Sequence, residues 1–132
     1  MRYLTLAEVL TIAEAVTGLD AVTLARASRL ELLDSALHAP QAGFGDEEFY
    51  AEFVDKAAVL VARITRNHPL IDGNKRLAWA ALNMFVALNG RRLQVGADEA
   101  VETMLGVAAG DLDEEALSTW LGDRIDNPPT AP

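Results

Sequence analysis

The chain of 132 residues contains no cysteine. That excludes a disulfide framework, thiolate metal sites and a cysteine nucleophile. It also lacks any long hydrophobic run. Its longest uninterrupted apolar stretches are Ala57–Ala62 and Leu77–Leu82, whereas a membrane-spanning helix needs roughly 20 such residues. No membrane partner is expected, although 51% of the residues are hydrophobic and mean hydropathy is +0.13. The beginning of the chain does not read as a signal peptide, because Glu8 and Glu14 interrupt its apolar stretch. With cysteine also absent, a cytoplasmic location is expected. Basic residues are scarce, 11 against 20 acidic, for a net charge of −9 and a pI near 4.5. Such a balance gives no general electrostatic grip on nucleic acid, and no direct nucleic-acid binding is expected.

The scarce cations are unevenly placed. Arg63, Arg66, Lys75, Arg76, Arg91 and Arg92 fall within one segment that contains a single acid, Asp72, so the segment carries +5. The remaining five basic and nineteen acidic residues carry −14. Unless the clustering is chance, an acidic chain with one basic island points to a localised anion site.

With 23 alanines and 19 leucines, the composition favours helix, and the length suits one domain. We expect an all-α domain over residues 1–126 and a disordered tail over 127–132, where three prolines fall. Thr5-Leu6-Ala7-Glu8 reads as a capping box opening a helix with Leu6, Val9, Leu10, Ala13 and Val16 on its apolar face, ended by Gly18. Ser28-Arg29-Leu30-Glu31 reads as a second, opening a helix that carries Leu32, Leu33, Ala36 and Leu37 and is closed by Pro40. A loop or short hairpin is expected near 41–46. From Asp46 the pattern turns helical through Phe49, Phe53, Ala57, Leu60, Val61 and Ile64, until Pro69 stops it. A helix over about 73–89 follows, then a short extended piece at Leu93–Val95. Two last helices are expected, from Asp98 to about Val107 and from Asp111 to about Ile125.

The helix over 73–89 is apolar on every face from Leu77 to Leu88, apart from Asn83. This predicts burial all round at the centre of the bundle. Its beginning breaks the pattern. Lys75 and Arg76 lie in the first turn, where the helix dipole disfavours cations and welcomes anions. Two cations beside the free N–H groups of a helix start suit an anion, most plausibly phosphate. Gly73 lets that anion approach the backbone. Just upstream, His68 is a candidate base, and Asp72 is a candidate to orient it or to bind a divalent cation. Zinc is not expected, since the other histidine, His38, reads as structural.

The stretch His68-Pro69-Leu70-Ile71-Asp72-Gly73-Asn74-Lys75-Arg76 resembles the signature of the Doc (death on curing) toxins, a branch of the Fic fold. That signature is His-x-Phe-x-(Asp/Asn)-(Ala/Gly)-Asn-Lys-Arg, and the fixed positions match except Leu70, where Phe is usual. Leu33-Asp34-Ser35-Ala36-Leu37 with Pro40 and Gln41, and Leu88-Asn89-Gly90 after the apolar helix, are also similar. The likeness covers roughly residues 4 to 125. It implies a compact Fic-fold helical bundle around the 73–89 helix.

The resemblance also implies a function. Fic enzymes with Gly-Asn-Gly-Arg transfer AMP from ATP to a target hydroxyl. The Doc branch has Lys at the position of Lys75, and is understood to hold ATP reversed and to transfer its γ-phosphate. The implied protein is the toxin of a type II toxin–antitoxin system that phosphorylates a threonine of elongation factor Tu and halts translation, using ATP and Mg2+. Its partner would be a Phd-like antitoxin. By position, His68 would deprotonate the target hydroxyl, and Asp72 would place His68 and Mg2+. Arg66, Gly73, Asn74, Lys75 and Arg76 would hold phosphate. Gly43, Phe44 and Gly45 resemble the flap that aligns the target peptide. Some members carry Asn where this chain has Ala80, and Asn83 is a buried-polar candidate rather than its equivalent. Two other readings stand: an AMP-transferring enzyme, and a catalytically inactive antitoxin-binding or regulatory module.

Overall fold

A computed structural model describes residues 1–126; the expected disordered tail at 127–132 lies outside the described residues. Seven helices form the bundle among them: α1 (Leu6–Thr17), α2 (Ala21–Ala27), α3 (Leu30–His38), α4 (Phe53–Asn67), α5 (Asn74–Leu88), α6 (Ala97–Ala109) and α7 (Glu114–Gly122). Two small antiparallel ribbons accompany them. β1 (Gly43–Phe44) pairs with β2 (Glu47–Glu48), and β3 (Arg92–Leu93) pairs with β4 (Ile125–Asp126). The all-α expectation holds. No helix among the described residues is long and apolar enough to cross a membrane.

Local signals set several boundaries as expected. The Thr5 side chain accepts from the Glu8 N–H at 3.2 Å, and the Thr5 N–H donates to the Glu8 carboxylate at 2.9 Å. That backbone bond, with the Arg2 guanidinium beside it, holds the Glu8 carboxyl below its ordinary range. The stabilisation it brings is present at neutral pH and is lost as pH falls through that range. Gly18, at φ 75, ends α1 in the left-handed conformation.

Three expectations are corrected. Ser28 does not open α3: it is the C-cap of α2, in extended conformation with its N–H donating to the Leu24 carbonyl at 2.9 Å, and Arg29 precedes α3 without a side-chain cap. The Arg29 N–H donates to the Pro69 carbonyl at 2.8 Å, so a distant loop, and not a capping box, holds the start of α3. The helix expected from Asp46 begins only at Phe53. Residues 43–48 form the hairpin, and the Phe49 N–H closes it on the Ala42 carbonyl at 3.0 Å. Gly43 is required there, because a Cβ would collide with the Glu47 carbonyl oxygen. Phe49, expected on the buried face, is exposed. Helix α2 was not foreseen; Asp20 caps it by accepting from the Thr23 N–H at 2.8 Å.

The third correction concerns the centre. Helix α5 is not enclosed all round, since Lys75, Arg76, Asn83, Ala87 and Leu88 are exposed. It shares the centre with α4, which buries ten of its fifteen residues and packs against α3, α5, α6 and α7. Asn83 accordingly faces solvent, donating to the Trp79 carbonyl at 2.9 Å. Where α4 and α5 meet, Phe85 stacks on Phe53 with centroids 4.9 Å apart, and on Tyr3 at 6.3 Å. Phe85 is 1% exposed. Replacing Phe85→Ala should cost about 3–5 kcal/mol of folding stability, measured by urea denaturation.

Candidate functional site

The nine-residue stretch joins the C-terminus of α4 to the N-terminus of α5, and each residue's position follows from that turn. His68 ends α4 with φ 49 and ψ 55, the one non-glycine residue at positive φ among the described residues. A left-handed L-residue costs about 1–2 kcal/mol, so the turn must hold it there. The Pro69 carbonyl is tied to Arg29, and Leu70 is 3% exposed in the core. Asn74, 5% exposed, then closes the loop. Its Oδ1 accepts from the Leu70 N–H at 2.8 Å, and its Nδ2 donates to the Leu70 carbonyl at 2.9 Å. The Asn74 side chain is therefore structural. Only its backbone N–H is left for the anion-binding part expected of it.

Gly73, at φ 87, precedes α5 and offers no side-chain cap, and no acid stands in the first turn. The first-turn N–H groups of this long helix are available to a ligand, as the dipole favours for anions. Gly73 also gives the Arg76 guanidinium room to fold back: a Cβ at 73 would sit 3.2 Å from Arg76 Nη2. Arg76 Nη1 donates to the Val16 carbonyl at 3.1 Å, near the end of α1.

His68, Asp72, Gly73, Asn74, Lys75 and Arg76 line one cavity of about 290 Å³, with Thr65 of α4 and Ala108 of α6 completing its walls. His68, Asp72, Lys75 and Arg76 are all exposed, so a substrate can reach them. Sequence reasoning missed Thr65 and Ala108. Thr65 lies three residues before His68 on one helical face, a signal that could have been used; Ala108 carried none.

Arg66 is not brought to this cavity. Its Nη1 pairs with Glu114 Oε1 at 3.2 Å, and Arg63 Nε reaches the same oxygen at 3.3 Å. The partner is 48 residues away, on the first turn of α7. Gly43, Phe44 and Gly45 do lie in the expected hairpin, but none of them lines the cavity. His38 is exposed at the end of α3, its Nδ1 2.8 Å from the Asp34 carbonyl. Among the described residues no cluster of three or more His, Asp or Glu side chains could hold a metal. Asp72 is the one carboxylate lining the cavity. That suits Mg2+, which binds through one or two carboxylates and substrate phosphates rather than in an all-protein cage.

Residues 3–86, which include the uncapped helix start, both cations, His68 and Asp72, match the Fic/DOC family. The chain belongs to that family. It is similar to the toxin Doc of Mycolicibacterium smegmatis, with 41% identity over 92 residues, covering 68% of this chain and 71% of that protein.

Truncating Asn74→Ala would leave the buried Leu70 N–H and carbonyl unpaired. We expect a loss of about 1–3 kcal/mol for each group, read from urea denaturation; a loss under about 0.5 kcal/mol would show that Asn74 does not hold the turn.

Proposed function

We propose that this chain is the toxin of a toxin–antitoxin pair and a protein kinase, transferring the γ-phosphate of ATP to a threonine or serine hydroxyl of a translation factor, elongation factor Tu, in the cytoplasm. The observation that carries this reading is the shared cavity. His68 and Asp72 stand in it beside the uncapped N-terminus of α5 with Lys75 and Arg76. Phosphoryl transfer asks mainly for positioning and charge neutralisation, which such a compact anion site supplies. The lysine at position 75, as in the Doc branch, fills space that a glycine would leave for a nucleotide held in the AMP-transferring orientation.

In the reaction, the target hydroxyl oxygen forms the new bond to the γ-phosphorus, and the bond from that phosphorus to the β–γ bridging oxygen breaks. ADP leaves with the electron pair, and His68 takes the hydroxyl proton. Lys75, Arg76 and the α5 N–H groups hold the charge on the phosphoryl oxygens. Asp72 would hold Mg2+, which neutralises phosphate charge when bound. A Phd-like antitoxin, with a segment that folds on binding, is the regulatory partner in this reading.

Incubating the chain with elongation factor Tu and γ-labelled ATP should label the target, and His68→Ala should abolish labelling. Labelling from α-labelled ATP alone would replace the kinase with an AMP transferase. Growth arrest that persists in His68→Ala would favour a binding module without catalysis. Separately, Lys75→Glu should weaken ATP binding by about 1–3 kcal/mol, as expected for a lost charge-assisted contact. Calorimetry would measure it, and unchanged affinity would remove Lys75 from the site.

A further inference from the structure

Lys56 is the buried cation that the reaction does not use. It lies in the first turns of α4 and is 2% exposed. Burying an ammonium is expensive unless it is paired and hydrogen-bonded. Its Nζ donates to the Pro40 carbonyl at 3.1 Å and to Glu48 Oε1 at 3.2 Å, and lies 5.7 Å from the Tyr3 ring centroid. Pro40 precedes the 43–48 hairpin and Glu48 sits on its second strand, so one ammonium grips both legs. Ala39 and Pro40 are buried against α4, but the hairpin beyond them has no apolar anchor of its own. Residues 43–49 are all exposed, with Phe44 at 82% and Phe49 at 65%, so apolar packing contributes little to its direction.

The same helix ends at His68. Twelve residues separate Lys56 from His68, roughly 18 Å along the helix axis at 1.5 Å per residue. An extended peptide covers that distance in about five or six residues. We propose that Lys56 is a positioning residue: through Glu48 and the Pro40 carbonyl it fixes the hairpin on α4 at a set distance from His68, and so sets where a protein substrate's extended segment lies relative to the base. This rests on the reading of the hairpin as the target-peptide flap.

Glu48→Ala tests it by removing the carboxylate from the exposed side of the pair, and Glu48→Gln keeps a hydrogen-bond acceptor for the ammonium. Chymotrypsin cleavage after Phe44 in the full chain reports whether the hairpin is held. We expect Glu48→Ala to lower the unfolding midpoint, because the buried ammonium loses its carboxylate, and to be cut at least tenfold faster than the wild type at a temperature where both are folded; Glu48→Gln should restore most of the protection. With elongation factor Tu as substrate, Glu48→Ala should raise KM at least fivefold and leave kcat and ATP affinity within twofold. Cleavage of Glu48→Ala within twofold of the wild type would overturn the proposal, as would a loss in kcat with KM unchanged. If the wild type labels no elongation factor Tu, the kinase reading fails by itself, and the cleavage rates still decide whether Lys56 holds the hairpin.

Discussion

Asn74 holds the turn on which the rest of the site depends. Its two hydrogen bonds to the Leu70 backbone close a loop of five residues whose two ends are buried, and Leu70 itself is the apolar anchor of that loop. With positions 70 and 74 fixed, His68 is kept in a left-handed conformation it would not choose alone, and Asp72 is lifted to the surface between them. The turn also brings together helix ends of opposite sign, the C-terminus of α4 and the N-terminus of α5. The result is a base, a carboxylate and a positive helix end in one cavity.

That positive end has no side-chain cap and no acid in its first turn. Two cations at a helix start cost about 0.3–1 kcal/mol each, which is small beside the burial of Leu77, Ala78, Ala81, Leu82 and Phe85 further along α5. The fold therefore tolerates the electrostatic mismatch, and the mismatch is what an anionic ligand relieves. The basic island in the sequence is sorted accordingly. Lys75 and Arg76 face the cavity, Arg63 and Arg66 share Glu114, and the Arg91 guanidinium lies 4.4 Å from the Phe53 ring centroid. Only two of the six cations stand in the cavity, one fewer than the resemblance implies, which adds Arg66, two residues before His68.

What was legible in the sequence is what is decided within about four residues. The Thr5–Glu8 capping box, the stop at Gly18, the close of α4 before Pro69 and the cations opening α5 all follow from neighbours along the chain. The errors have the opposite origin. Ser28 carries a sound capping pattern, yet Arg29 is bonded to Pro69, 40 residues on, and α3 starts without it. Phe49 and Phe53 have helical spacing, yet the backbone at 43–48 is already committed to a hairpin whose glycine admits a close carbonyl. Seven-residue α2 is too short for periodicity to reveal; its evidence is the Asp20–Thr23 cap alone.

Lys56 marks the limit of such reading most clearly. Between an acid and a run of alanines and valines, a lysine reads as a surface residue whose charge is solvated. Its partners are Glu48, on a strand that the apolar pattern took for helix, and a carbonyl sixteen residues earlier. The error over residues 46–52 and the missed partner of Lys56 are thus one error: only when the helix begins at Phe53 does Glu48 fall on a hairpin strand that Lys56 can hold. The same correction makes α4 a core element that also links the hairpin near its start to the cavity residue His68 at its finish.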